Sequence, residues 1–291
     1  MEVTPEKLEF ELPKISVISD DGVCSLNGFT SAIWGAFFAA FVYNAPRFSC
    51  AQCSMALIEQ KISAQQNLFA TAEFIGQVTP GWFDVNFWQQ QQAITGQAKG
   101  RGAAIFIQHQ QHQWVLRHYR RGGLVGKFIR DAFWFTGQNR TRVARELNLL
   151  AQMREWHLPC PSPVAGRVIQ SGLLYRNDIL IERIADATDV HDILCKRALT
   201  DDQWQSIGRT IRRFHDKQVY HHDLNIHNIL LDASDEVWLI DFDKCDIRIG
   251  ERWKQDNLAR LHRSLQKELG KKLGYHFSQS DWLALISGYQ P

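Results

Sequence analysis

The stretch His221-His222-Asp223-Leu224-Asn225-Ile226-His227-Asn228, followed by Asp241-Phe242-Asp243, constrains the fold more than any other part of this 291-residue chain. The first piece has the pattern H-x-D-L-x-x-x-N, and the second departs from D-F-G only at its last position. Between them, Ile229-Leu230-Leu231 and Val237-Trp238-Leu239-Ile240 are β-prone runs around the polar segment Asp232–Glu236. That pattern predicts two short strands joined by a tight turn. Such a unit brings its two ends together, so Asp223, Asn228 and Asp241 are expected to share one site.

The chemistry of these residue types narrows the reading. A carboxylate at Asp223 can accept the hydrogen bond of an attacking hydroxyl and aim it. Asn228 offers a neutral oxygen and Asp241 a carboxylate, the hard ligands that Mg²⁺ prefers. Phosphoryl transfer rests mostly on positioning and charge neutralisation, which these three groups can supply. The set is that of a protein-kinase-like phosphotransferase using ATP. A lone His-Asp pair would read as a buried hydrogen-bond network; the full set, with strands between its parts, reads as a catalytic and a metal-binding loop.

Upstream segments supply the other parts such an enzyme needs. Gly96-Gln-Ala-Lys-Gly100-Arg101-Gly102 precedes the β-prone run Ala103–Ile107. Glycines let backbone N–H groups approach phosphate without a Cβ in the way, so Gly96, Gly100 and Gly102 are candidates to cover the nucleotide. Trp114–Tyr119 reads as the next strand. Kinases carry a phosphate-gripping lysine there; here the position falls on Arg117, which is not a neutral swap for lysine. Lys127 and Lys99 are the other candidates. Thr141–Leu150 has helical apolar spacing, and Glu146 within it is the candidate partner of the gripping cation. Val164–Ile169 and Asp178–Ile184 read as strands, with Glu182-Arg183-Ile184 at a hinge whose backbone can meet adenine. Trp204–Phe214 and Trp253–Leu269 read as helices. Phe69–Trp88 carries helical and turn signals, broken at Pro80-Gly81. The fold class expected is α+β, two-lobed and kinase-like: a small β-rich lobe over residues 55–183 and a mostly helical lobe over 184–291.

Residues 1–54 differ from the rest. Their hydrophobic pattern is irregular, and Met55 begins a plausible protein start. They read either as an upstream extension outside the fold or as a membrane-adhering or docking segment. The apolar run Ala32–Val42 is too short to span a bilayer, which takes about 20 residues. The six cysteines are scattered, which argues for reduced thiols rather than a disulfide framework. Cys50-Ala-Gln-Cys53 is a single C-x-x-C without a second pair.

Net charge is +2, so global charge selects no partner. Locally, Arg117, Arg120, Arg121, Lys127, Arg130, Arg140, Arg142 and Arg145 lie close together in sequence against Asp131 and Glu146, with Phe133-Trp134-Phe135 among them. A basic patch with aromatics suits an anionic amphiphile at a membrane face, and also nucleic acid. Two departures from protein kinases decide between acceptor types. His222 stands where an arginine usually pairs with a phosphorylated loop, and no A-P-E follows Asp243. The platform for protein substrates is therefore expected to be absent, which favours a small-molecule or glycolipid acceptor.

Over about residues 80–291 the chain resembles the bacterial 3-deoxy-D-manno-octulosonic acid (Kdo) kinases, related to the lipopolysaccharide-core heptose kinases. The resemblance rests on the glycine segment Gly96–Gly102, Leu116-Arg-His-Tyr-Arg-Arg-Gly-Gly-Leu-Val-Gly-Lys127, Asp223–Leu231, Leu239-Ile-Asp-Phe-Asp-Lys-Cys245 and Trp253–Leu265. It implies ATP-dependent phosphorylation of the Kdo 4-hydroxyl on a Kdo–lipid A precursor. It also implies a peripheral site on the cytoplasmic face of a Gram-negative inner membrane, with no nucleic-acid partner. The family's catalytic aspartate falls on Asp223. Arg120, Arg121 and Lys127 are then candidates for the acceptor's phosphate and carboxylate groups. Other acceptors, such as a heptose, an aminoglycoside or a protein, and a catalytically dead nucleotide-binding scaffold, are the alternatives.

Overall fold

The computed structural model describes residues 56–98, 104–121 and 131–290. The readings on residues 1–54, on the Cys50–Cys53 pair, and on Lys99, Gly100, Gly102 and Lys127 lie outside the described residues. In chain order the strands and helices are β1 (Leu57–Lys61), β2 (Gln66–Thr71), α1 (Val85–Gln90), β3 (Ile94–Gln97), β4 (Ile105–His109), β5 (His112–His118), β6 (Phe133–Trp134), α2 (Arg142–Glu155), β7 (Pro163–Ser171), β8 (Leu174–Glu182), β9 (Thr188–Asp189), α3 (Val190–Leu194), α4 (Asp201–Asp216), β10 (Val219–Tyr220), β11 (Ile229–Leu231), β12 (Val237–Leu239), β13 (Asp246–Ile247), α5 (Arg252–Leu269) and α6 (Gln279–Tyr289).

The first eight strands form one antiparallel sheet in the order β1-β2-β7-β8-β5-β4-β3, with β6 added on β8. Successive side chains of a strand point to opposite faces, and β5 shows what that alternation does here. Trp114 and Leu116 are buried on one face, in a cluster with Leu68, Trp82, Trp88 and Leu180. The three indoles lie within 4.9–6.2 Å of one another, centroid to centroid. Three of the ten tryptophans are therefore core packing under the sheet. Arg117, one residue on, emerges on the opposite face, which α2 covers with Val143, Leu147 and Leu150.

Gly166 on β7 permits that covering. A Cβ built there would lie 2.4 Å from Val143 Cγ2 and 2.8 Å from Leu147 Cδ1. A larger residue would push α2, and Glu146 with it, away from the sheet.

The helical part is built on α4. Its N-terminus carries a capping box of Thr200 and Gln203, and Trp204, Ile207, Ile211 and Phe214 are buried along one face. It crosses α6 at a glycine pair: a Cβ on Gly208 would lie 2.1 Å from Leu285 O, and one on Gly288 2.1 Å from Gln205 O. The helices over 142–155, 201–216 and 252–269 and the strands β4, β5, β7, β8, β11 and β12 fall where the hydrophobic spacing predicts them. The segment 69–88 differs from its expected helical character. Phe69 to Thr71 end strand β2, which pairs with β1 and β7; turns follow as expected, but Pro80-Gly81 opens a 3-10 turn, Pro80–Phe83, and α-helix begins at Val85. The Leu68–Thr71 run is buried on both faces, so it shows no alternation for a sequence reading to detect. No helix among the described residues is long and apolar enough to cross a membrane.

Candidate active site

Strands β11 and β12 pair antiparallel, Ile229 opposite Leu239, and the Ile240 N–H donates to Asn228 O at 3.0 Å. This ties the loop ahead of β11 to the one after β12. His221, buried, ties them a second time through Nε2 to Ile240 O at 3.0 Å. Its ring packs on Phe242, which stacks on Phe214 of α4. Asn228 Nδ2 donates to Asp223 O at 2.9 Å, which leaves the oxygen end of that amide as its acceptor. Asp223, Asn228 and Asp241 are thus held in one cluster by backbone hydrogen bonds, with two carboxylates and an amide oxygen as its polar ends. Asp241 sits at φ 64°, in the left-handed region that side chains rarely adopt.

Across from this cluster, Arg117 forks between two carboxylates. One guanidinium nitrogen donates to Glu146 Oε1 at 2.5 Å and the other to Asp241 Oδ1. Glu146 is only 2% exposed and takes a second hydrogen bond, from Tyr119 Oη at 2.5 Å. Burial works against a charge on Arg117, but the carboxylates of Glu146 and Asp241 outweigh it and hold its pKa above the ordinary value. Burial likewise works against the Asp241 carboxylate, and Arg117 overcomes it, so Asp241 stays below the usual carboxylate range. A second arginine, one turn before Glu146 on α2, meets a single carboxylate. Arg142 donates through Nε to Asp243 Oδ1 at 2.7 Å, and its guanidinium covers the rings of Tyr119 and Phe133.

The remaining expected residues are placed as follows. Gly96 lies inside β3, where a Cβ would meet Phe106 at 3.2 Å, and Ala98 N donates to Ala104 O at the base of the hairpin that carries the glycine segment. Arg120 is exposed, and Arg121 lies over the Phe133 ring at 5.2 Å. The basic-aromatic segment is thus divided: Arg117, Arg142 and Phe133 turn inward, while Arg120 and Trp134 face solvent. At the hinge, the N–H groups of Glu182 and Arg183 already donate to Ser162 O and Gln113 O. Of the hinge backbone groups expected to meet adenine, the N–H groups of Glu182 and Arg183 are thus already engaged.

Three features were not foreseen. Arg260, on α5, pairs with the Asp223 carboxylate, its Nε at 3.1 Å from Oδ1. Asp243 holds Arg142; an acid where D-F-G has glycine was the available signal. His118 is bonded to Asp178 at 2.6 Å and to Asp131 at 3.3 Å, and these hydrogen bonds, led by that to Asp178, raise its pKa despite burial.

The donor set fits a nucleotide with a divalent metal. Asp241 and Asn228 offer hard oxygen ligands of the kind magnesium takes, and Arg117 offers a permanent positive charge beside them.

Comparison with known proteins agrees. The family model described as lipopolysaccharide kinase (Kdo/WaaP) family matches residues 85–289. A 3-deoxy-D-manno-octulosonic acid kinase of Photobacterium profundum is 51% identical over 208 residues, 72% of this chain and 88% of that protein. One from Vibrio cholerae is 49% identical over 204 residues, 70% of this chain and 86% of that protein. One from Vibrio vulnificus is 43% identical over 234 residues, 80% of this chain and 99% of that protein. With an α+β, two-lobed kinase-like fold and this match over most of its length, the chain belongs to the lipopolysaccharide kinase (Kdo/WaaP) family and is a phosphotransferase acting on a hydroxyl group.

Proposed function

We propose that this protein transfers the γ-phosphate of ATP to the 4-hydroxyl of a Kdo residue on a Kdo–lipid A precursor. The observation that carries the reading is the cluster of Asp223, Asn228 and Asp241, tied together by backbone hydrogen bonds and faced by the Arg117–Glu146 pair. Relatives up to 51% identical are Kdo kinases, which supports the choice of acceptor.

In this reading the nucleotide lies between a small lobe, residues 55–183, and a helical lobe, residues 184–291. Gly96, Gly100 and Gly102 cover it, and Arg117, held by Glu146, meets its phosphates. Asn228 and Asp241 hold Mg²⁺, which neutralises charge on the phosphates when bound. Asp223 accepts the hydrogen bond of the sugar hydroxyl and orients it. Arg260 already bonds to Asp223 Oδ1, so it fixes that carboxylate and leaves the second oxygen for the hydroxyl.

The acceptor is a glycolipid, so the protein works at the cytoplasmic face of the inner membrane. The exposed surface supports this. Trp134 of β6 is 65% and Leu173, in the turn between β7 and β8, 73% exposed, and Phe135 N donates to Leu173 O at 2.9 Å. An exposed indole and leucine near Arg120 and Arg121 suit an anionic lipid surface. We assign Arg120, Arg121 and Lys127 to the acceptor's anionic groups.

The test is an acceptor screen with labelled γ-phosphate ATP and Kdo-bearing, heptose-bearing and aminoglycoside acceptors, followed by phosphorus–proton correlation to locate the phosphate. Label on the Kdo 4-position supports the reading. Label on another acceptor keeps the phosphotransfer chemistry and discards the Kdo assignment.

A further inference from the structure

Behind the cluster just described, on the side of His227 rather than of Asn228, lies a group of side chains with no part in phosphoryl transfer. His227 belongs to the 3-10 turn Ile226–Asn228, His191 to α3, and Glu268 to the last turn of α5. Each offers one ligand atom, and these atoms lie within 4.8 Å of one another. The two imidazole centroids are 4.1 Å apart. Cys195, one turn after His191, brings Sγ to 3.6 Å from His191 Nε2; it stands outside the group whose ligand atoms all lie within 4.8 Å of one another, so it would have to turn inward to join a metal.

The outer partners of the two histidines match those of metal ligands. A metal-binding imidazole is generally held by a hydrogen bond from its other ring nitrogen, to a carboxylate or another oxygen. His227 has Nδ1 towards Asp189 Oδ2 at 3.7 Å and Nε2 towards Glu268 Oε1 at 3.9 Å. His191 has Nδ1 at 3.3 Å from Tyr275 Oη, while its Nε2 turns into the group. In both, therefore, Nδ1 faces an outer oxygen and Nε2 faces inward. A cation already occupies part of that space. The ammonium of Lys272, an exposed and flexible side chain, lies 3.0 Å from His191 Nε2 and 3.0 Å from Cys195 Sγ. The position therefore accepts positive charge, and the histidine nitrogen facing it acts as an acceptor.

We propose that His191, Cys195, His227 and Glu268 form a transition-metal site of the kind that takes zinc, with Lys272 as the cation it displaces. A set of two imidazoles, a thiolate and a carboxylate suits zinc. With zinc–nitrogen and zinc–sulfur distances of about 2.0 and 2.3 Å, a tetrahedral nitrogen–sulfur edge is about 3.6 Å, the separation seen between His191 and Cys195. The His227–Glu268 edge, 3.9 Å, closes by about half an ångström to reach the same geometry. The site joins α3, the C-terminal end of α5 and the turn that carries Asn228. The metal would staple the catalytic loop from behind, outside the reacting atoms.

The experiment is titration of the metal-stripped full chain with Co²⁺, without nucleotide, followed by Zn²⁺ competition. Cys50 and Cys53 are first replaced by serine, so that this thiol pair contributes nothing. One equivalent should bind, with the visible bands of a tetrahedral cobalt site and a thiolate-to-cobalt charge-transfer band. Cys195→Ser should remove the charge-transfer band, and His227→Ala, a change at an exposed position, should abolish tight binding. Asp189→Asn keeps the cap that accepts from His191 N but weakens the outer carboxylate, and should cost about 10–100-fold in affinity. Lys272→Ala should tighten binding, and Asp241→Asn should leave the signal intact. Absence of stoichiometric binding overturns the proposal. So does binding that survives both His227→Ala and Cys195→Ser, or that is lost in Asp241→Asn, which would place the metal at the phosphotransfer cluster instead.

Discussion

Arg117 and Glu146 show how much a single pair can be made to do. Glu146 is 2% exposed, so its charge is tolerable only because Arg117 and Tyr119 meet it. Removing Arg117 leaves that carboxylate buried and unpartnered and also frees Asp241. Arg117→Ala is therefore predicted to lose about 3–5 kcal/mol of stability by denaturant unfolding and to raise the KM for ATP. Unchanged stability would mean that the pair is relaxed in solution. The position was legible because the strand after the glycine segment carries an arginine where kinases place a lysine; the second pair, Arg142 with Asp243, was not, since α2 exposes nothing in its periodicity that separates Arg142 from Arg145. His215 makes a prediction of another kind. Burial lowers its imidazole to about 4 from the ordinary 6.5, and Tyr289 Oη is bonded to it at 2.9 Å. Between those values the unfolded chain holds a proton that the folded one does not. Stability thus falls as pH drops through that window, by up to about 1.4 kcal/mol per pH unit. The melting temperature of His215→Asn should fall less than that of the parent between about pH 7 and about pH 5. Parallel curves for the two proteins would contradict the assignment.

At the scale of elements, the clearest elements around the site follow from periodicity, because they bury one face only. Trp204, Ile207, Ile211 and Phe214 mark α4, and alternation in Trp114–His118 marks both faces of β5. Among the elements that escaped, two did so for plain physical reasons. Strand β2 is buried on both sides, and strand β1 is mostly exposed, its side chains contributing little to any core. Neither shows the half-buried pattern that makes a strand readable. The contact that sets the position of α2 was also hidden, because it lies in a missing side chain. Gly166 admits Val143 and Leu147 where a Cβ would overlap them. Gly166→Val should shift α2, lower stability by about 1–3 kcal/mol and raise the KM for ATP through Glu146. A variant with normal ATP kinetics would show that α2 is positioned by something else.

For the whole molecule, the described strands and helices begin at Leu57, two residues after the plausible protein start at Met55. We predict that a chain starting at Met55 melts and turns over as the full chain does; a drop in activity towards lipid-embedded acceptor alone would instead assign residues 1–54 to membrane docking. The site itself was legible in outline from the H-x-D-L-x-x-x-N and D-F-D segments, because their spacing forces a strand-turn-strand that gathers them. What sequence spacing could not supply was the side-chain company: Arg260 against Asp223, or His227 turned away from Asn228 towards Glu268. These contacts join segments far apart in the chain, with no local pattern to announce them.

The central claim is that Asp223 orients the acceptor hydroxyl. It is tested most directly by measuring single-turnover phosphate transfer to a Kdo-bearing lipid A precursor, alongside ATP binding, in the parent protein and in Asp223→Asn. The predicted result is ATP affinity within about threefold of the parent and transfer reduced by about 100-fold or more. Near-normal transfer by Asp223→Asn would contradict the account.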